Sequence, residues 1–294
     1  MKKYLHPKYL PVLIPVAGLL GLVLRLWTMG EGPDAEGLYA PQPVAWTLLW
    51  IVTVLTLAAI VLLSARLKNP GRYFDNFPPS IAGAVGNALA ALGIMMSGLS
   101  MLTSGTDWLT TVTGLLGVVS AIDLIVLACA RYKGKKPSFV LHAVPCLFFA
   151  LRIFERCKAW SNIPQITIFL FQFLASICVM LAVYQLACFD VNLGKRKTCL
   201  FWSLSGVYFS LLSLPSGDEP LFYVGMAIWL LTNLCSVRPL KARKPQQTEP
   251  APETTPEPAP EAAAPEAPAP APTAESQLNE DMSLDDLKRW LDKE

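Results

Sequence analysis

Eight apolar segments, each near or above the length needed to cross a bilayer, occupy most of the first 237 residues of this chain. A helix needs about 20 residues to cross about 30 Å of hydrocarbon. Inside a bilayer the backbone polar groups must bond to one another, and a continuous helix achieves this within one segment. The sequence therefore predicts an all-α, polytopic helical membrane protein. The predicted transmembrane helices are residues 11–29, 44–65, 80–103, 108–130, 138–157, 164–188, 198–215 and 219–237.

Composition agrees with a membrane protein and offers little support for an enzyme. Hydrophobic residues form 53% of the chain and charged residues 16%, whereas a soluble domain carries roughly 25% charged residues. The seven cysteines form no CxxC pair and there are two histidines, so we expect no metal and no cofactor. Recognisable hydrolase and metalloprotease motifs are missing, which predicts a non-enzyme.

The distribution of lysine and arginine predicts the orientation in the membrane. Short cytoplasmic loops carry an excess of these residues. With eight crossings, 17 of them fall on the side of the N-terminus and 4 on the other side. Both termini are therefore expected in the cytoplasm, and the membrane is expected to be the plasma (cell) membrane. Because topology accounts for the basic residues, we expect no nucleic-acid partner.

Four polar residues within the predicted transmembrane helices are candidates for an ion- or substrate-binding site, because polar groups at membrane depth are costly. At 1.5 Å per residue, Asp123 lies about 12 Å and Asn87 about 10 Å from the cytoplasmic edge. Arg25 and Arg152 each lie about 20 Å from that edge on the same arithmetic. The alternative is that these groups are structural and bond neighbouring helices.

The fifth predicted helix, residues 138–157, is the least regular. Pro145 is expected to bend or break it. Arg152, Glu155 and Arg156 share one helix face because their spacing is i, i+3, i+4. These features are compatible with a re-entrant segment or a polar cavity lining. The favoured alternative is a short transmembrane helix that ends in an interfacial charge cluster near Trp160, because Trp is common at the membrane interface.

The last fifty residues differ in composition from the bundle of residues 1–244. Residues 245–281 are rich in Pro, Ala and Glu, which predicts a disordered linker. Residues 282–294 carry a capping box, Ser283 to Asp286, which predicts a short amphipathic helix. The residues expected to dock this helix in the groove of a partner are Leu284, Leu287, Trp290 and Leu291. The alternative is a fraying helix on a solubilising tail.

Two functions follow from these features. The first is a non-catalytic, multi-pass membrane protein whose partners are the lipid bilayer and a protein bound by residues 282–294. The second is a transporter or channel with a polar site around Asp123. The arrangement of the four polar residues separates the two, because convergence on a wet cavity favours transport and a dry, paired arrangement favours a scaffold.

Overall fold

The fold is known from a computed structural model that describes residues 10–30, 43–65, 73–105, 107–160, 169–216 and 219–237. The chain divides into two compact units, Met1–Ala242 and Arg243–Glu294. All described residues belong to the first unit. The predicted linker and terminal helix lie outside the described residues.

The described residues form α-helices and contain no β-strand. The long helices begin and end near the boundaries predicted for the eight apolar segments. The α-helices are α1 (Leu10–Met29), α2 (Pro43–Ala65), α3 (Tyr73–Asn76), α4 (Ile81–Ser104), α5 (Trp108–Lys133), α6 (Val140–Trp160), α7 (Leu170–Asp190), α8 (Arg196–Ser213) and α9 (Pro220–Cys235). A 3-10 turn, Leu214–Ser216, extends α8, and the short α3 is an addition to the predicted elements.

Within the described residues, four helices, α2, α4, α5 and α7, are long and apolar enough to cross a membrane. Two shorter apolar helical segments accompany them, Leu13–Met29 within α1 and Pro220–Cys235, which is α9. Large apolar side chains such as Leu55 and Val23 are more than half exposed on the outside of the bundle. An apolar exterior of this extent indicates a membrane-embedded protein, because lipid tails are the solvent that such a surface suits.

Of the two outcomes predicted for Pro145, a bend or a break, a break is excluded because α6 continues through this residue. Pro145 is the sixth residue of α6, where the missing N–H removes one hydrogen bond close to the helix start. Tertiary packing outweighs that loss, since Phe148 and Phe149, one turn further on, are fully buried.

Helix α4 lies at the centre of the bundle and packs closely against α5 and α9. A Cβ added at Gly98 would lie 2.9 Å from the carbonyl oxygen of Gly114 on α5. A Cβ at Gly86 would overlap Thr232 on α9. Small residues let helix backbones approach in this way, which makes van der Waals packing effective in lipid.

The bundle has two ends, which are named here after a residue at each. At the Arg131 end, α5 and α9 finish and α4 begins, and the Ser80 N–H donates to the Arg131 carbonyl. At the Glu219 end, α4 and α6 finish and α9 begins. Polar side chains collect at both ends.

Candidate functional site

The four polar residues predicted within the transmembrane helices do not meet in one site. Arg152 Nη1 donates to Ser97 Oγ at 2.7 Å, and Ser97 follows Asn87 on α4 by ten residues, or about 15 Å along the axis. Asn87 therefore lies towards the Arg131 end and Arg152 towards the Glu219 end. The guanidinium of Arg25 lies 4.5 Å from the ring centre of Phe171.

Asp123 lies on a partly exposed face of α5, between the exposed residues Ile122 and Ile125. Its Oδ2 atom is buried and has no hydrogen-bond partner among the described residues. Asp123 and Asn87 were expected to contact each other at matching depth. The structure shows no hydrogen bond between them, and Asn87 bonds other groups.

The Glu219 cluster consists of Ser97, Arg152, Arg156 and Glu219. The two carboxylate oxygens of Glu219 each accept one hydrogen bond, from Arg152 Nη2 and Arg156 Nη2, both at 2.6 Å. The side chain of Arg152 is 1% exposed and that of Glu219 is 19% exposed. Charge-assisted hydrogen bonds of this length, partly shielded from water, join the end of α6 to the start of α9.

Glu219 reaches both arginines from an unusual backbone position. It precedes Pro220, outside the helix, with φ of 52° and ψ of 56° in the left-handed region. A non-glycine residue there costs free energy that the surrounding structure must offset. Burial raises the pKa of this carboxyl group, but the nearby charges of Arg152 and Arg156 outweigh burial and hold the pKa below its ordinary value.

Aromatic packing completes the environment of Arg152. Its guanidinium lies 4.1 Å from the ring centre of Phe222, two residues into α9 from Pro220. Cation–π attraction is strongest where the cation is desolvated. With both oxygens of Glu219 occupied and the ring of Phe222 covering Arg152, the cluster is suited to holding helices together.

Asn87 is likewise committed to interhelical bonding. Trp229 Nε1 donates to Asn87 Oδ1, and Asn87 Nδ2 donates to the Gly83 carbonyl at 2.9 Å. Trp229 is fully buried on α9. Side-chain amides commonly join helices in membranes in this manner.

A second group of polar residues lines a cleft at the Arg131 end, which we call the Arg131 cleft. The cleft is partly open to the surface, and the space inside it that a water molecule can occupy is only about 10 Å³. The polar and aromatic residues that line it are Tyr73, Phe77, Asn87, Arg131, His142 and Asn233. Arg131 is 6% exposed, and its Nη2 donates to Asn233 Oδ1 and Ser236 Oγ, both at 2.9 Å.

His142 forms a buried pair with Asp190 beside this cleft. The distance from His142 Nδ1 to Asp190 Oδ2 is 2.5 Å, and the Asp190 side chain is fully buried. This contact joins the start of α6 to the end of α7. The other carboxylate oxygen, Asp190 Oδ1, has no hydrogen-bond partner among the described residues.

Sequence reasoning missed Glu219, Asp190 and Arg131 as site residues. Glu219 and Asp190 stand at helix ends, where a single sequence cannot distinguish an exposed charge from a paired one. Arg131 belongs to a basic loop that the positive-inside pattern already explained. The sequence did contain an indication that Glu219 would be paired. Arg152 and Arg156, which carry the opposite charge, were predicted to lie on the same side of the membrane as Glu219.

Other predicted site residues are not placed by the structure. Leu284, Leu287, Trp290 and Leu291 lie outside the described residues. Within the described ranges, no group of three or more histidine, cysteine or acidic side chains is arranged to hold a metal ion.

Comparison with known proteins gives no family for this chain. No protein-family model, curated protein or solved structure matches it.

Proposed function

We propose that this chain is a non-catalytic, multi-pass membrane protein that recruits a protein partner through residues 282–294. The observation that supports this function over transport is that Asn87 and the Ser97 contact of Arg152 lie about 15 Å apart along α4. Arg152 and Asn87 use their hydrogen bonds to join helices rather than to line a shared path. A site that binds a transported ion needs side-chain oxygens that are free to coordinate the ion. In the Glu219 cluster both carboxylate oxygens of Glu219 already accept hydrogen bonds from arginines.

The proposed topology has eight transmembrane helices and both termini in the cytoplasm, in the plasma (cell) membrane. Loop charge supports it, since Arg131, Lys133, Lys135 and Lys136 fall together at one end of the bundle. In this topology the Arg131 end faces the cytoplasm. Fusing a reporter that is active only in the cytoplasm to the C-terminus tests the topology, and an inactive, stably inserted fusion would refute it.

The proposed partner contact rests on the terminal sequence. An apolar stripe at i, i+3 and i+7 suits a helix that lies in a hydrophobic groove, and a linker of 37 residues in polyproline conformation reaches about 115 Å from the membrane. The reach allows a partner to be held at the cytoplasmic surface without rigid attachment to the bundle.

The test is recovery of partners by the full-length protein in mild detergent. We expect a stoichiometric partner that is lost from the double variant Leu287→Ala, Leu291→Ala. The matched control is Lys288→Ala, Lys293→Ala, which leaves the apolar stripe intact and should retain the partner. A synthetic peptide of residues 282–294 should compete for the partner and a scrambled peptide should not. Identical partners for both double variants would refute the proposal.

A second candidate function, a transporter or channel, is favoured by Asp123. Its Oδ2 atom is buried without a hydrogen bond in the described part of the chain, and such an oxygen is available to bind a cation or proton. Reconstitution in liposomes tests this function. A measured flux that Asp123→Asn abolishes would support it over the scaffold, whereas absence of flux or an unchanged flux would exclude Asp123 from the path.

A further inference from the structure

Asp123 is an acidic side chain to which the bundle gives no basic partner among the residues that the structure describes. Its Oδ2 atom is buried and accepts no hydrogen bond from them. The acidic side chains that lie within 3.6 Å of a basic one are Asp107, Glu155, Asp190 and Glu219. A charged group in the hydrocarbon region is costly and usually pairs with another group, so the partner of Asp123 is expected outside this bundle.

The position of Asp123 along α5 places it near the middle of the bilayer. Trp108 and Tyr132, at the two ends of α5, are more than half exposed, and exposed aromatic residues of this kind mark the membrane–water interfaces. Asp123 follows Trp108 by 15 residues and precedes Tyr132 by 9, which is about 22 Å and about 14 Å along the helix axis. The carboxylate is therefore far from both water surfaces.

The face of α5 beside Asp123 has the spacing by which two helices pack together. Exposed apolar residues follow one another at alternating intervals of three and four, and we call them the α5 seam: Val112, Leu115, Val119, Ile122 and Val126. This is the a and d pattern of a left-handed supercoil, which is also the usual packing geometry in transmembrane bundles. Asp123 directly follows Ile122 at a d position, so it flanks the seam where charged residues of coiled coils select the partner.

Charge decides between a second copy of this chain and a different protein as the occupant of the α5 seam. Two copies that pack through the same face would bring their Asp123 side chains together, and like charges oppose such a contact. Arg25 and Arg152, the basic residues at membrane depth, are 4% and 1% exposed and are not available to a neighbouring copy. The occupant must therefore bring a cation of its own.

We propose that the α5 seam docks a transmembrane helix of another membrane protein, and that this helix carries a lysine or arginine that pairs with Asp123. The apolar residues of the seam supply van der Waals contact. The ion pair supplies specificity, because salt screens a pair in the bilayer much less than an exposed one. This contact needs no path through the bundle and does not involve residues 282–294, so its test is independent of the test of the tail.

Energy transfer between the full-length protein and synthetic transmembrane peptides in phosphatidylcholine liposomes tests the proposal. The donors are the native tryptophans, and the acceptor is a dansyl group on each peptide. The peptides share one leucine–alanine sequence of about 20 residues and differ only at the central position, which is lysine, leucine or glutamate. The lysine peptide should associate about fivefold to thirtyfold more strongly than the leucine peptide, as expected for one polar contact between helices in lipid.

Charge reversal assigns the contact to Asp123. Asp123→Leu should associate equally with the lysine and leucine peptides, and Asp123→Lys should prefer the glutamate peptide over the lysine peptide. The matched control is Asp107→Asn, which removes an equal charge beside the start of the same helix and should change the preference for lysine by less than about twofold. Equal association of the three peptides with the wild-type protein, or a preference for lysine that Asp123→Leu retains, would overturn the proposal.

A milder variant covers the case in which Asp123→Leu or Asp123→Lys does not fold. Asp123→Asn keeps the shape of the side chain and removes the charge, so it should lower the preference for the lysine peptide by about threefold or more. An unchanged preference would then count against Asp123 as the contact. Self-association of the wild-type protein that Asp123→Asn removes would identify a second copy as the occupant and overturn the choice of partner.

Discussion

Replacing Glu219 by Gln isolates the contribution of charge in the Glu219 cluster. The amide keeps the size of the side chain but removes the negative charge that both arginines share. Removing one partner of a buried ion pair costs about 3–5 kcal/mol, because the remaining charge is left uncompensated. Since the Glu219 side chain is 19% exposed, water relieves part of that cost, and the lower figure of about 3 kcal/mol is the appropriate one.

The assay is thermal unfolding of the purified full-length protein in detergent, with intrinsic tryptophan fluorescence and the monodisperse fraction after heating as readouts. For a chain of this size 1 kcal/mol corresponds to about 2–4 °C, so Glu219→Gln should lower the midpoint by about 6–12 °C. The control is Asp107→Asn, which removes an equal charge from a pair with Lys158 whose side chains are more than half exposed. Exposed pairs contribute about 0–1 kcal/mol, so the control should shift the midpoint by less than about 4 °C.

The dependence on pH gives a second check on the same group. The folded protein lowers the pKa of Glu219 from its ordinary value of 4.5. A group with a lowered pKa stabilises the fold above its ordinary pKa, and the stabilisation is lost as the pH falls below that value. The difference between wild type and Glu219→Gln should therefore be full at pH 7 and shrink below about pH 4.5. Equal midpoints for the Glu219 and Asp107 variants at pH 7 would refute the buried-pair reasoning.

Three further substitutions test other parts of the bundle. Asn87→Ala should destabilise the protein by about 1–3 kcal/mol, because the buried Trp229 indole N–H loses its acceptor, and the tryptophan emission reports the change. Gly98→Leu should destabilise it by about 1–3 kcal/mol, since a side chain there overlaps the Gly114 carbonyl, as a thermal midpoint would show. Asp123→Asn should leave the midpoint unchanged or raise it, because the buried Oδ2 atom has no hydrogen-bond partner among the described residues; a drop of several degrees would show a structural role that the contacts do not reveal.

Helix positions were largely predictable from the sequence because hydrophobic length is a local property. The segment predicted at residues 44–65 corresponds to Pro43–Ala65, and the one predicted at 80–103 corresponds to Ile81–Ser104. The agreement follows from the lipid environment, where an apolar run of about 20 residues has few alternatives to a helix. The irregularity expected at Pro145 was not found as a break, since local propensity yields to packing of the helix that surrounds it.

The polar contacts were less predictable because they depend on which helices become neighbours. Arg152 pairs with Glu219, 67 residues later in the chain. The depth of a residue in the membrane does not tell which neighbouring helix its side chain faces, so this pair could not be predicted from depth. Depth gave Arg25 and Arg152 the same level in the membrane, but it predicted neither the ring of Phe171 beside Arg25 nor the ring of Phe222 beside Arg152. Hydrophobic periodicity could not supply rotation either, because transmembrane helices are apolar on nearly every face.

The two ends of the bundle differ in how their buried charges are balanced. At the Glu219 end, Glu219 shares its carboxylate between Arg152 and Arg156, and every Glu219 oxygen has a donor. A ligand there would have to break existing bonds. At the Arg131 end the guanidinium donates to the neutral acceptors Asn233 and Ser236. The unfolding midpoint should therefore depend on the charge of Glu219 at the first end.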